Sequence, residues 1–518
     1  MATSFHKLLA ALKQRNGLAL AALALLFAVQ ISPDLYPSVD GCLYLKTVSD
    51  FFSQPLENFC CLVPPGYPLL IAPAFLFGDR PFLAVSILNW CLAVAMIGGV
   101  YVWARRLMPS AALVLTAAVA VNISLWTFYR RPTKEIATMA FLIWTVNAMH
   151  RLLEERRTNR VIGLTATVAF LTAYLALTRY AAITLAVAFV VAAALFARRG
   201  QFRPARAVGM SAVVCLVSGA ALVSWLAYDR WHGTGGTYVE ALVAIYRHPA
   251  ASESDSADDA RERDGRTDRH FTRAALYRMD DLACLAVPGF WKGSSAADDG
   301  WSLTTAVGAA VLGVLAVGWW KIGSQRIDLL VILLPIYLLL YAHWDCAQPG
   351  GRFLLPMLPI ILACVGAGSV AILRALPVAL SRWQMPLLAA CLLAHLGQAA
   401  GYWLFVDVPR ARTCQRNLPI VDRLAREIQQ DPGFVAIDPS LELVCNGLWL
   451  DLDFKRLHVL KNPPQRRVDW IVDVAGREPI DGFSLRRVDG PVQLLRRVSD
   501  AQTPSVPVGR APTSADRR

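Results

Sequence analysis

A single carboxylate, Asp40, begins a short amphipathic segment that follows the first hydrophobic stretch of the chain. Tyr44 comes four residues later, and Tyr67 lies farther along the same polar loop. Desolvating a carboxylate at a membrane edge is costly, so an acid held there is a functional candidate, and a carboxylate can act as a general base. Taken alone, Asp40 fits an interfacial helix cap about as well.

The elements that must position these residues are membrane helices. Of 518 residues, 56% are hydrophobic and only 17% are charged, and the mean hydropathy is +0.43. This composition indicates an integral membrane protein and excludes a soluble enzyme. We read the net charge of +13 as membrane topology and contact with anionic lipids, because no aromatic-basic array typical of nucleic-acid binding accompanies it.

Stretches of roughly 20 apolar residues, the length that crosses a bilayer, recur along the chain. By this rule we predict a mainly α, polytopic helix bundle with about eleven spans. The predicted spans are 17–33, 82–104, 110–128, 136–150, 161–178, 180–197, 208–228, 302–320, 327–343, 353–373 and 385–405.

Lys and Arg accumulate in alternate loops, which the positive-inside rule assigns to the cytoplasm together with the N-terminus. Arg130, Arg131 and Lys134 fall on the opposite side, against this rule. Basic residues in such a position either snorkel to the interface or serve a function, and both readings stay open.

The spans and loops divide the chain into three parts. We predict a transmembrane domain over 1–405 with external loops at 34–81 and 229–300, a small periplasmic α/β domain over 406–499, and a disordered tail over 500–518. Helical periodicity at Leu418–Gln430 and four β-prone runs support the second part. The runs are Phe434–Asp438, Leu457–Leu460, Trp470–Val474 and Val492–Val498.

The long loop at 229–300 is divided in composition. Its centre, Ser252–His270, is charged and almost without apolar residues, so we predict that it is mobile. The two flanks, Tyr238–Tyr246 and Phe271–Trp291, carry aromatic and apolar residues that could lie on the membrane surface. Two acidic pairs, Asp258-Asp259 and Asp280-Asp281, could bind a divalent cation, but solvated loop charge is the favoured interpretation.

Four segments together resemble the GT-C fold polytopic glycosyltransferases, specifically the bacterial aminoarabinose transferase and protein O-mannosyltransferase-like branch. Each segment alone is a weak signal, but the order, spacing and external placement of the four agree over about residues 15–375. The segments are Asp40-Gly41-Cys42-Leu43-Tyr44-Leu45, Pro64-Pro65-Gly66-Tyr67-Pro68-Leu69-Leu70, Arg131-Pro132-Thr133-Lys134-Glu135 and Gly351-Arg352-Phe353-Leu354-Leu355-Pro356-Met357-Leu358-Pro359.

The resemblance implies transfer of a monosaccharide, with inversion, from a polyprenyl-phosphate carrier to a glycan, lipid or protein acceptor at the periplasmic face of a bacterial inner membrane. An inverting transfer needs a general base, for which Asp40 is the candidate.

The charge that develops on the leaving phosphate needs a cation. Arg352 is the first candidate, because a guanidinium can hold phosphate with two hydrogen bonds. Lys134, Arg131 and Arg130 are further donor-phosphate candidates. Arg352 could instead simply cap the end of a span.

The remaining candidate residues would contact the sugar or the acceptor, or have a purely structural role. Tyr44, Tyr67 and Glu135 are the predicted acceptor or sugar contacts. Arg179 marks either a tight turn or a further phosphate contact, and the turn is favoured.

A divalent metal is compatible with such chemistry, but the sequence offers no ligand set. His343 and Asp345 supply only two ligands. Many relatives carry two adjacent acids in the first loop, whereas here Gly41 follows Asp40. A lipid-linked sugar transporter and a catalytically inactive assembly subunit of the same fold are the alternatives. Inverted repeats and charges deep inside spans would favour the transporter, whereas this sequence shows no internal repeat and its spans are almost free of acids.

Overall fold

A computed structural model of the protein describes most of the transmembrane part and portions of the rest. The described residues are 16–29, 31, 41, 44–45, 47–48, 64–78, 81–129, 131–231, 275–290, 302–342, 351–375, 384–430, 435–437, 457–459, 470–475, 483–489 and 492–497. Asp40, Arg130, His343, Asp345 and Asp258-Asp259 therefore lie outside the described residues, as do the centre of the long loop and the predicted tail.

Up to Gln430, nearly all of the residues that the structure describes are helical. They are α1 (Asn16–Ala28), α2 (Gly66–Ile71), α3 (Phe82–Leu107), α4 (Ala112–Ala120), α5 (Ile123–Tyr129), α6 (Lys134–Glu154), α7 (Thr158–Thr178), α8 (Thr184–Arg198), α9 (Pro204–Trp231), α10 (275–286), α11 (Leu303–Gln325), α12 (Leu329–Ala342), α13 (Leu358–Ala375), α14 (Gln384–Tyr402) and α15 (Val408–Gln430).

Within the described residues, eight helical segments are long and apolar enough to cross a membrane. They contain α3, α6, α7, α8, α9, α11, α13 and α14. The bent pair α4 and α5, which turns by 51°, adds a ninth if it is one span. The mainly α, polytopic bundle is confirmed. The predicted count of eleven is higher because α1 and α12 coincide with predicted spans but are shorter apolar helices.

The long helix α6 is fixed against α3 along its length. Asn147 donates from Nδ2 to the carbonyl of Gly99 over 2.9 Å, and Trp144 donates from Nε1 to the carbonyl of Ala95 over 2.8 Å. At its C-terminal end, His150 Nε2 lies 3.0 Å from Oδ2 of Asp328, which precedes α12. Such polar contacts between apolar helices fix the rotation of α6 and therefore the direction of the residues in its first turn.

Helix α10 corrects two predictions about the long loop. The flank at Phe271–Trp291 was predicted to lie on the membrane surface, and the acidic pair Asp280-Asp281 was predicted to be solvated. Instead α10 is packed into the bundle, and the two acids are only 4% and 5% exposed. Thr305 of α11 donates to Asp280 over 2.8 Å, and Arg278 pairs with Asp281 at 3.1 Å. The sequence pattern missed this because each acid is compensated by a partner that composition does not reveal.

The chain divides into two compact units, 1–411 and 412–518. The second contains most of α15 and a five-stranded sheet in the order β2-β1-β3-β5-β4, parallel among β2, β1 and β3 and antiparallel among β3, β5 and β4. The strands are β1 (Val435–Ile437), β2 (Leu457–Val459), β3 (Trp470–Val474), β4 (Phe483–Asp489) and β5 (Val492–Arg497).

One face of α15 covers this sheet. Leu424 and Ile428 pack with Val435, Val472 and Leu494 in a buried apolar cluster. Four of the strands coincide with predicted β-prone runs, whereas β4 was not predicted from the sequence.

Candidate functional site

Glu135 lies in the first turn of α6, and its side chain is fully buried at 0% exposure. Arg352 donates from Nε to Oε1 of Glu135 over 2.6 Å, and Nη1 of Arg179 lies 3.9 Å from the same oxygen. Thr133 helps to fix the start of the helix by donating to the carbonyl of Phe128 over 3.3 Å. A fully buried carboxylate thus lies between two guanidinium groups, the compensation that a buried charge requires.

Arg179 connects α7 to the short helical turn before α8, as a turn residue would, but its side chain is buried and only 7% exposed. Its Nε donates to the hydroxyl of Tyr341 over 3.2 Å, and its Nη2 donates to the carbonyl of Phe353 over 3.4 Å. The guanidinium also lies over both rings, 5.8 Å from each centroid. Arg179 therefore joins Glu135 to the segment that carries Arg352.

The Arg352 segment is a tight turn that leads into α13. Gly351 has φ +66°, a conformation that favours glycine, and its carbonyl accepts from the amide of Leu354 over 3.0 Å. The Arg352 side chain is 17% exposed, and its guanidinium lies 5.6 Å from the ring centroid of Phe128. Arg352 is therefore more exposed than Glu135 or Arg179.

Asn89, in the middle of the apolar helix α3, connects two of the predicted segments. Its Nδ2 donates to the carbonyls of Tyr129 and Arg131 over 3.1 and 3.2 Å. Its Oδ1 accepts from the hydroxyl of Tyr67 over 3.4 Å. Sequence reasoning missed Asn89, although one amide in an otherwise apolar span is the signal that could have identified it.

The two predicted tyrosines meet. The rings of Tyr44 and Tyr67 are 5.1 Å apart in an edge-to-face arrangement, and both side chains are buried. Burial raises the pKa of the Tyr67 phenol, and the negative charge of Glu135 raises it further. Tyr67 is therefore a neutral hydrogen-bond donor located near the buried carboxylate.

Two glycines allow close contacts around the site, Gly41 with Pro132 and Gly66 with the end of α7. A Cβ atom at Gly41 would lie 2.7 Å from Cγ of Pro132, and one at Gly66 would lie 2.8 Å from the amide nitrogen of Thr178. The first loop therefore touches the Arg131–Glu135 segment at the residue next to Asp40. The position of Gly41 has no room for a side chain.

The two described basic residues around the start of α6, Arg131 and Lys134, differ from each other in their surroundings. Arg131 donates from Nη2 to the hydroxyl of Tyr402 over 3.4 Å, and Lys134 is half-buried at the first position of α6. All four predicted segments converge at this end of the bundle. Asp40 and Arg130 themselves lie outside the residues that the structure describes.

Among the described residues, no group of three or more His, Cys, Asp or Glu side chains could hold a metal ion. Oε2 of Glu135 is one of several buried polar atoms there that have no hydrogen-bond partner. In the same cluster, Nη1 of Arg179 makes no hydrogen bond within the described part of the chain and lies 3.9 Å from Oε1 of Glu135. Buried polar atoms of this kind usually have a partner, so these two mark a place where a polar ligand or water can bind.

Comparison with solved structures identifies the fold. ArnT from Cupriavidus metallidurans, in the apo state, matches with a TM-score of 0.55 at 11% sequence identity, over 94% of this chain and 98% of ArnT. The chain has the GT-C fold. The oligosaccharyltransferase from Archaeoglobus fulgidus, solved with a tethered acceptor peptide, matches with a TM-score of 0.50 at 11% identity, over 89% of this chain and 69% of that one.

The ArnT structure bound to undecaprenyl phosphate matches less well, with a TM-score of 0.48 at 10% identity over 94% of this chain and 98% of ArnT. No protein-family model matches the sequence, and no curated protein matches it significantly. The resemblance inferred from the four sequence segments is thus confirmed at the level of the GT-C fold.

Proposed function

We propose that this protein is a membrane glycosyltransferase that moves a monosaccharide from a polyprenyl-phosphate carrier to an acceptor, with inversion at the anomeric carbon. The observation that carries the proposal is the buried Glu135 carboxylate, which holds Arg352 at the end of the bundle where all four segments meet. The GT-C fold supports it, because ArnT, which shares this fold, also binds undecaprenyl phosphate.

In the proposed reaction, Asp40 is the general base. It takes the proton from the acceptor hydroxyl while the acceptor oxygen attacks the anomeric carbon from the face opposite the phosphate. The bond between the anomeric carbon and the phosphate oxygen breaks, and the polyprenyl phosphate leaves with that electron pair. A single displacement of this kind inverts the anomeric configuration.

Arg352 stabilises the negative charge on the departing phosphate. Glu135 accepts from its Nε over 2.6 Å, which fixes the plane of the guanidinium before the donor binds. Preorganised cations of this kind favour the transition state because they need little rearrangement as charge develops. Lys134, Arg131 and Arg130 add positive charge along the path of the carrier headgroup.

Tyr44, Tyr67 and Glu135 form the proposed sugar and acceptor wall. Oε2 of Glu135 has no hydrogen-bond partner among the described residues, so it can accept a hydroxyl hydrogen bond from the sugar or the acceptor. The buried Tyr44 and Tyr67 rings, with centroids 5.1 Å apart, pack behind Glu135 and support this wall. In this account Glu135 has two functions, orienting Arg352 and contacting substrate.

The proposed location is a bacterial inner membrane, and the distribution of Lys and Arg in the loops supports a cytoplasmic N-terminus. The site and the C-terminal domain then face the periplasm. The acceptor is a glycan, a lipid or a protein reached from that side, and the donor enters from the surrounding membrane.

The test is sugar transfer in membranes from cells that express wild type, Asp40→Asn or, as a control in the same loop, Asp50→Asn. Radiolabelled polyprenyl-phosphate sugars serve as donors. Label should reach an acceptor with wild type and Asp50→Asn but not with Asp40→Asn at equal expression. If no donor supports transfer while carrier lipid crosses the bilayer of reconstituted vesicles, the protein is a transporter and the proposal is wrong.

A further inference from the structure

Helix α10 contacts both neighbours of Arg352 in the chain. A Cβ atom at Gly351 would lie 2.9 Å from the carbonyl oxygen of Asp281 and 2.9 Å from Cγ of Leu285. On the other side of Arg352, the ring of Phe353 has the guanidinium of Arg278 at 5.4 Å from its centroid. The turn that carries Arg352 is therefore packed against one helix of the long loop.

Helix α10 is itself fixed to the bundle. Asn122 donates from Nδ2 to the carbonyl of Leu285 over 2.8 Å, and the amide of Gly289 donates to Oε1 of Gln398 over 3.0 Å. Gly308 of α11 lies directly against the backbone of Met279, where a side chain would not fit. A helix held from three directions can transmit its position to the turn that packs on it.

Arg278 and Asp281 form a buried pair on the face of α10 that meets this turn. Nη1 of Arg278 lies 3.1 Å from Oδ2 of Asp281, and the side chains are 7% and 6% exposed. Placing a guanidinium away from water is unfavourable unless an acceptor such as the Asp281 carboxyl lies against it. The pair is therefore a specific arrangement that aims the Arg278 guanidinium at the Phe353 ring.

We propose that Arg278 and Asp281 are positioning residues for the donor-phosphate contact. They hold Phe353 and Gly351, and thereby set the direction in which Arg352 presents its guanidinium. The inference rests on the proposed function of Arg352. Phe353 is the link, because Arg179 also donates to its carbonyl and lies over its ring.

The experiment measures binding of undecaprenyl phosphate to the purified full-length protein, together with thermal stability. Arg278→Lys keeps the charge but loses the planar group that lies over the ring, so affinity should fall about ten-fold, as expected for a desolvated cation–π contact. The matched control is Arg206→Lys, which removes the same kind of contact with Phe202 at 5.2 Å, near the start of α9. Arg206→Lys should leave undecaprenyl-phosphate affinity unchanged.

A double-mutant cycle separates positioning from a general loss of folding. If Arg278 acts through Phe353, the double variant Arg278→Lys/Phe353→Leu should bind no more weakly than Phe353→Leu alone. Equal affinity of Arg278→Lys and wild type, or additive losses in the double variant, would overturn the inference while leaving the proposed function intact. Absence of any binding by wild type would overturn the inference together with the proposed function.

Discussion

Nε of Arg352 donates to Oε1 of Glu135 over 2.6 Å, although 217 positions separate the two residues in the chain. Glu135 opens α6 and Arg352 precedes α13, so the pair forms only when these helices are packed. The carboxylate is fully buried and the arginine is 17% exposed. The pair thus orients a cation whose other side can face a ligand, and this arrangement underlies the account of function given above.

Glu135→Gln should lower both stability and transfer. The variant leaves the buried Arg179 and Arg352 without their shared carboxylate, and breaking a buried ion pair of this kind costs about 3–5 kcal/mol. The control is Glu154→Gln at the other end of the same helix, where the partner Arg106 is 31% exposed and Glu154 is 55% exposed. That loss should stay below about 1 kcal/mol. Thermal unfolding in detergent compares the two variants, and equal losses of stability would contradict the claim that Glu135 is a buried partner of Arg179 and Arg352.

Gly41→Asp should reduce transfer, although it places a second acid beside Asp40. A Cβ atom at this position would lie 2.7 Å from Cγ of Pro132, so the side chain would push the first loop away from the segment before α6. Gly41→Ala should reduce transfer in the same direction, because the conflict begins at Cβ. Initial rates of labelled-sugar transfer test this, and a gain of activity in Gly41→Asp would show that a second acid is tolerated.

The stability of the protein should fall as the pH rises toward 7, because the Asp281 carboxyl loses its proton in this range. Burial raises the pKa of the Asp281 carboxyl from its ordinary 3.8 to about 7; Arg278 opposes the shift and Asp280 adds to it. The folded pKa is higher than the unfolded one, so the folded state keeps a proton that the unfolded state has lost. This contribution is complete below the unfolded pKa and is lost as the pH rises through about 7.

Asp281→Asn should remove this component, because an amide does not titrate. Melting temperatures of wild type and Asp281→Asn, measured in detergent between about pH 5 and pH 8, provide the comparison. The wild-type curve should fall more steeply across this interval than that of the variant. Identical slopes would mean that Asp281 does not carry the proposed proton.

Much of the transmembrane part could be predicted because hydrophobic length is a local property. The eleven predicted spans coincide with helices, and the four segments around Asp40, Tyr67, Glu135 and Arg352 converge, as far as their residues are described. The roles assigned to these residues stay predictions. The spacing of the segments indicated a shared site but gave no information about which side chains would pair.

Features that depend on distant partners could not be read from the sequence. Arg179 fits a turn by its neighbours, and only the fold brings it to Glu135 and Phe353. The sequence of helix α10 suggested a surface position, because it does not reveal that Asp280 accepts a hydrogen bond from Thr305 or that Asp281 pairs with Arg278. Strand β4 was missed because a register shift between Leu485 and Arg487 interrupts the alternation that signals a strand.

The most direct test of the central claim is the affinity of the purified protein for undecaprenyl phosphate, compared between wild type, Arg352→Lys and Arg352→Ala. We expect Arg352→Ala to bind at least about ten-fold more weakly and Arg352→Lys to recover only part of the loss, because an ammonium cannot hold phosphate with two parallel hydrogen bonds. Equal affinity of all three proteins would contradict the claim that Arg352, held by Glu135, contacts the carrier phosphate.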